Sequence, residues 1–320
     1  MAAEKKMEDK TKVKGKRKVW RWVVPAVVVL VVGAVLLVPV VVSSGAGNRL
    51  IVSKINKSVD GKMELGGLSM SWWRGVRLRE LSFADGTGQT LVKVKEIITH
   101  PSYLALLSGK VFLGVTRIEQ PVIEINMKEA AKPGTSQPKP AGSGAGGMPI
   151  KQIDLTVNDG ALKVTTPKSG KVAVSQINSH VQLRGSGQES SADVSMAVDS
   201  GSSGKVTASA KAVPDKGWTL KGTSGQLSVE VNELDLESLG PIFAMAGVTV
   251  EAKGKLSADM KSEVKEGQVE GVSGVITGKG LEIAGQPLKG DRVQMPSLNV
   301  VVQLKRQQEQ IAIEKLDIEG

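Results

Sequence analysis

The chain has 320 residues, a formal net charge of +10, no cysteine and only nine aromatic residues. Without cysteine there is no disulfide-stapled domain, no thiolate chemistry and no Cys-based zinc site. The positive charge is concentrated: residues 1–21 carry nine Lys or Arg against three acids, and the remainder is only +4 with its charges interspersed, which excludes a basic nucleic-acid-binding stripe.

The basic segment 1–22 leads into twenty apolar or small residues, Val23 to Val42. At about 1.5 Å per residue this run spans about 30 Å, the thickness of a bilayer's hydrocarbon core. Trp20 and Trp22 stand where interfacial anchors belong, beside Arg21, and Gly33 lies mid-run. We therefore expect a single transmembrane helix over 23–42, with residues 1–22 as a basic cytoplasmic tail and the bulk of the chain outside the cytoplasm. Ser43–Ser44–Gly45–Ala46 offers a cleavage-like site, but the run is too long for an ordinary secretory signal.

Leu50, Ile51, Ile55 and Val59 recur near helical spacing, so Asn48–Val59 is read as a short amphipathic helix near the membrane. Asp60–Gly61 makes a turn, and period-two alternation follows through Met63, Leu65, Leu68 and Met70, then Val76, Leu78, Leu81 and Phe83. A second turn falls at Asp85–Gly88, before Leu91, Val92, Val94 and Ile97. Pro101–Ser108 reads as helical, and strands resume from Val111 to Ile125. Residues 48–127 thus form a membrane-proximal β module. The Pro/Gly/Ser-rich segment 128–149 cannot bury an apolar face and reads as a flexible linker.

Residues 150–320 repeat the strand pattern, with an Asn158–Asp159–Gly160 turn and one helical interruption at Glu233–Ala246. Val181, Leu183, Val194, Met196, Val198, Leu227 and Val229 are the candidate lining of an apolar face. About sixteen strands at roughly 4.8 Å spacing make a sheet on the order of 75 Å long. Strands of this composition present one apolar and one wet face. That face either shelters apolar ligands in a groove or packs against a second sheet as a sandwich core.

Catalytic signatures are missing. His100 and His180 stand apart, and Asp154, Asp159, Asp193 and Asp199 read as turn or solvent-face acids, so no acid–base pair stands out. A formal G-x-G-x-x-G at Gly142–Gly147 lies in the linker, without the strand before it and helix after it that a dinucleotide site requires. Asn56–Lys57–Ser58 is a glycosylation sequon inside the expected helix. We expect no enzyme activity, cofactor or metal.

The stretch Gly61–Met127 reads G-K-M-E-L-G-G-L-S-M-S-W-W, R-G-V-R-L-R-E-L-S-F, D-G-T-G-Q-T-L, V-K-V-K-E-I, Y-L-A-L-L-S-G-K and V-T-R-I-E-Q-P-V-I-E-I-N. It resembles the N-terminal part of the AsmA-like family, the TamB- and YhdP-type proteins, which is similar to chorein-type bridge lipid-transfer proteins. Later phrases, L-D-L-E-S-L-G-P, G-K-L-S-A-D-M and G-L-E-I-A-G, are similar to that family's β-segments. The resemblance implies a mainly β fold: an N-terminal transmembrane helix, then an elongated, twisted antiparallel β-groove with a few short helices. It further implies inner-membrane anchorage, a periplasmic bulk, and a role in phospholipid transport and outer-membrane biogenesis, with phospholipids and envelope proteins as partners. The alternative is a non-catalytic envelope scaffold that carries no lipid.

Overall fold

A computed structural model describes residues 37–103, 114–127, 152–167, 170–199, 203–215, 222–245, 250–285, 291–307 and 310–320. Of the expected transmembrane run, 23–36 lie outside the described residues, as do Trp20, Arg21, Trp22, Val23 and Gly33. Residues 37–42, which include Val42, are helical. Among the described residues no helix is long and apolar enough to cross a membrane. The linker 128–149 and the segment 104–113, with most of the helix expected at 101–108, also lie outside.

Helix α1 covers Gly45–Asn56, three residues earlier than its periodicity suggests. Ser44 starts it, its hydroxyl accepting from the Gly47 amide at 3.2 Å, as an N-cap serine does. Thirteen strands follow: β1 Gly61–Ser71, β2 Gly75–Asp85, β3 Thr90–Thr99, β4 Val115–Asn126, β5 Ile153–Thr166, β6 Gly170–Leu183 and β7 Ser190–Asp199. Then come β8 Ser203–Val213, β9 Ser224–Asp235, β10 Val250–Lys265, β11 Gln268–Gly285, β12 Arg292–Gln307 and β13 Gln310–Glu319. Between β9 and β10 lie a 3-10 turn, Leu236–Leu239, and helix α2, Gly240–Met245. The helix expected at Glu233–Ala246 thus starts later, because β9 keeps its pairing with β10 as far as Asp235.

All thirteen strands form one open sheet in strict chain order, β1 to β13. The sheet runs without a break through the division between 48–127 and 150–320. No second sheet lies against it among the described residues. The wholly antiparallel expectation needs one correction: β4 and β5 pair in parallel, from Val115↔Asp154 to Asn126↔Thr165. Parallel neighbours need a crossover of a dozen or more residues, and the segment separating β4 from β5 is long enough to bring the chain back to the same end. Every other neighbouring pair is antiparallel; most connections are short, the longer ones being 100–114 between β3 and β4, 214–223 between β8 and β9, and the segment that holds α2.

The alternation also changes phase inside the strands. Apolar residues run 63, 65 and then 68, 70 in β1, and 76, 78 and then 81, 83 in β2. In β2, β4, β5, β6 and β9 the phase changes beside a residue in the left-handed region: Glu80, Gln120, Asp159, Gln176 and Glu233, with φ of 51°, 49°, 52°, 51° and 46°. Asn158–Asp159–Gly160 is therefore not the turn expected from sequence. The positive φ that Asp tolerates makes an irregularity within β5, and pairing with β6 resumes beyond it. The irregular positions support one another across strands: Gln120 Nε2 donates to Asp159 Oδ2 at 3.0 Å, and the Asp159 amide donates to Asn178 Oδ1 at 3.0 Å. Each phase change keeps apolar side chains on one face.

Candidate functional site: an apolar face along the sheet

Cross-strand partners point to the same side of a sheet, so the register traces rows across it. One row takes a residue from every strand: Leu68, Leu78, Ile97, Ile118, Val157, Ser179, Val194, Ala208, Val229, Met260, Gly274, Val302 and Leu316. Only Ser179 in this row is polar. A parallel row runs from Met70 in β1 through Leu155, Val181, Ala192, Ala210, Leu227 and Val272 to Ile313 in β13, with Thr99, Thr116 and Ser262 among its members. Two of those hydroxyls satisfy each other, Thr99 Oγ1 and Thr116 Oγ1 lying 2.9 Å apart.

The seven residues expected to line the face fall together. Val194 and Val229 belong to the first row and Val181 and Leu227 to the second. Leu183 follows Val181 at strand period, and Met196 and Val198 follow Val194. Their accessibility differs. Leu227 is exposed, whereas Val198 is buried at 4% in a cluster with Val164, Val172, Val174 and Leu234. Leu239 of the 3-10 turn and Met196 pack against that cluster, and α2 contacts β5 and β6. Val198 is thus a core residue beneath a local cover, which corrects its assignment as accessible lining. Sequence reasoning missed this because the cover comes from a segment thirty-five to fifty residues downstream.

The opposite face is wet. Arg77 and Arg79 reach Glu96 at 3.4 and 3.2 Å, Lys163 reaches Glu124 at 3.5 Å, and Lys255 reaches Glu233 at 3.7 Å. His180 also lies here and is not isolated: its Nε2 is 3.2 Å from Asp154 Oδ1, and Asp193 stands opposite it on β7. A shallow trough includes His180, Asp193, Ser195, Thr207, Ser209 and Glu230. Its one imidazole directs Nε2 to both Asp154 and Gln182, and no group of three potential metal ligands occurs among the described residues. His100 sits just after β3, its amide bonded to the Val115 carbonyl at 3.0 Å.

The β1 end of the face is built against the end of the apolar N-terminal run. Ser43 Oγ accepts from the Met70 amide at 2.8 Å. The β1–β2 hairpin tip beside it carries Trp72, packed edge-on against Tyr103 with centroids 4.8 Å apart, and Trp73, which is 92% exposed. The Tyr103 hydroxyl donates to the Ser71 carbonyl at 2.8 Å, and burial raises its phenol pKa. Asn56 is also occupied: it accepts from the Met63 amide at 2.8 Å and donates to the Met63 carbonyl at 3.0 Å, so a glycan at this sequon would break a structural contact. The chain matches no family model, and no curated protein matches it significantly.

Proposed function

We propose that this chain is a membrane-anchored, AsmA-like protein whose twisted sheet forms a groove that shelters phospholipid acyl chains on its apolar face. It would be held in the inner membrane by residues 23–42, with the N-terminus cytoplasmic and the sheet in the periplasm. There it would serve phospholipid transport and outer-membrane biogenesis rather than catalysis. The observation that carries this reading is the row from Leu68 to Leu316, apolar but for Ser179, which starts near the end of the apolar run 23–42 and crosses all thirteen strands. Twelve inter-strand steps of about 4.8 Å make that path about 58 Å long. Each methylene moved from water onto such a surface contributes roughly 0.8 kcal/mol, so an acyl chain gains several kcal/mol without any dedicated pocket. Trp73 supports the orientation, since an exposed indole next to a basic residue, Arg74, suits the bilayer interface.

The test is site-specific photocrosslinking in cells with the full chain. Probes at Val181, Leu227 and Val229 should capture phospholipid, and a probe at Ser228 on the wet face should not. Equal capture from both faces would remove the groove reading. Protein adducts in place of lipid at all three apolar positions would favour the scaffold alternative.

A further inference from the structure

Strand β13 pairs only with β12, and its other side has no partner strand among the described residues. It is also the most exposed part of the apolar face: Ile311, Ile313, Leu316 and Ile318 are 59%, 64%, 49% and 64% accessible. An acyl chain could cover those side chains, but it cannot hydrogen-bond the edge N–H and C=O groups. Another strand satisfies both needs.

The order of residues in β13 names the partner. The four aliphatics are spaced two, three and two apart, and a register shift between Gln303 and Leu304 of β12 leaves Glu314 as the extra residue. In a regular strand, a two-fold axis normal to the sheet pairs residues of like parity. The extra residue reverses the parity of one half, so the strand becomes self-complementary about the midpoint of Glu314 and Lys315. Laid antiparallel on a second copy, Ile311 meets Ile318, Ile313 meets Leu316, and Glu314 meets Lys315, each contact occurring twice. Opposite charges meet at the centre and aliphatics on either side. Lys315 now lies 3.1 Å from Asp317, on the same wet face.

The other edge is closed to this use. The Met63 amide and carbonyl, the Leu65 carbonyl and the Met70 amide of β1 are bonded by Asn56, Asn48 and Ser43. A head-to-tail chain of copies through β1 is therefore blocked, and a closed two-fold dimer is the assembly left open.

We propose that two copies of this chain join through antiparallel pairing of their β13 strands, making one continuous sheet whose apolar rows pass from one copy into the other. This goes beyond the lipid reading and does not depend on it.

The absence of native cysteine allows a register-specific test on the full chain in detergent. Ala312 of one copy faces Asp317 of the other on the wet side. A mixture of Ala312→Cys and Asp317→Cys chains should, on oxidation, form a disulfide-linked heterodimer at least fivefold above the homodimer yield of either variant alone. Light scattering of the unsubstituted chain should give twice the chain mass. Adding Ile313→Lys and Ile318→Lys should abolish both signals with the circular dichroism unchanged, since the replaced side chains are on the exposed edge. Equal yields from mixed and single variants, or a monomer over the micromolar range, would overturn the pairing. A monomer that still yields phospholipid crosslinks at Val229 would overturn it while leaving the groove intact.

Discussion

The two edges of this sheet carry nearly the same strand and meet different fates. β1 places Met63, Leu65, Leu68 and Met70 on the apolar face, and β13 places Ile311, Ile313, Leu316 and Ile318 there, with identical spacing. In β1 the edge backbone is taken by side-chain amides from α1 and by the hydroxyl of Ser43, two residues before it, which stand in for a neighbouring strand. In β13 no described element plays that part. With the apolar spacing the same in both strands, the two edges differ in what lies beside them. Among the described residues the sheet is therefore closed along β1 and unpaired along β13.

The sharpest way to break this comparison is to cut the same row at its two ends. Leu68 and Leu316 both belong to the row that crosses every strand, but Leu68 is buried at 9% and Leu316 is half exposed. Leu68→Ala should cost about 3 kcal/mol by the lost transfer and cavity terms. Leu316→Ala should cost less than about 1 kcal/mol in the monomer. Urea unfolding midpoints at dilute concentration read the difference. Equal losses would mean that β13 is covered in solution by something the fold does not supply.

A smaller effect is expected from uncapping β1. Asn56→Ala removes two hydrogen bonds to Met63, each worth about 0.5–1.5 kcal/mol net. It should speed hydrogen exchange at the Met63 amide and let β1 recruit a strand, so the variant should associate beyond a dimer. Unchanged exchange at Met63 would show that α1 merely rests near the edge.

Much of the strand content was legible because alternation with small turn residues is a local property. Turn chemistry at Asp85–Gly88 was equally plain, and the Gly88 amide does bond the Asp85 carbonyl at 3.0 Å. The phase changes at Leu65–Leu68 and Leu78–Leu81 were visible in the sequence too, but their meaning needs the φ of Glu80 and the register around it. Asp159 misled because its tolerance of positive φ serves turns and in-strand irregularities alike. The parallel join of β4 and β5 could not be read from either strand, since direction depends on where a long connection returns. The candidate face was legible as a set of alternating aliphatics, and Val181, Val194, Leu227 and Val229 do fall in two adjacent rows. Val198 was not separable from them, because its burial depends on Leu234 and on Leu239, which pack on it from distant sequence.

The smallest expected effect asks whether charge, rather than α1, guards β1. Both edge strands carry a Lys and an acid two residues apart on the wet face: Lys62 and Glu64 at 2.6 Å, Lys315 and Asp317 at 3.1 Å. The hydrogen bond from Lys62, reinforced by its charge, lowers the Glu64 pKa, and the Glu64 bond raises that of Lys62. A lowered carboxyl contributes above the ordinary glutamate value and loses its contribution as pH falls through the lower folded value. A raised amine contributes below the ordinary lysine value and loses it as pH rises through the higher folded value. Between roughly pH 5 and 10 the pair is therefore fully formed and should add no pH dependence. NMR titration of Glu64 should show the lowered midpoint, and Lys62→Met or about 1 M salt should return it towards the ordinary value. Lys62→Met should leave the chain's association state unchanged, in contrast to Asn56→Ala. If removing this one charge were enough to make β1 associate, the closed edge would owe its protection to an exposed lysine and not to the amides of α1, and the asymmetry between the two ends of the sheet would have an electrostatic origin.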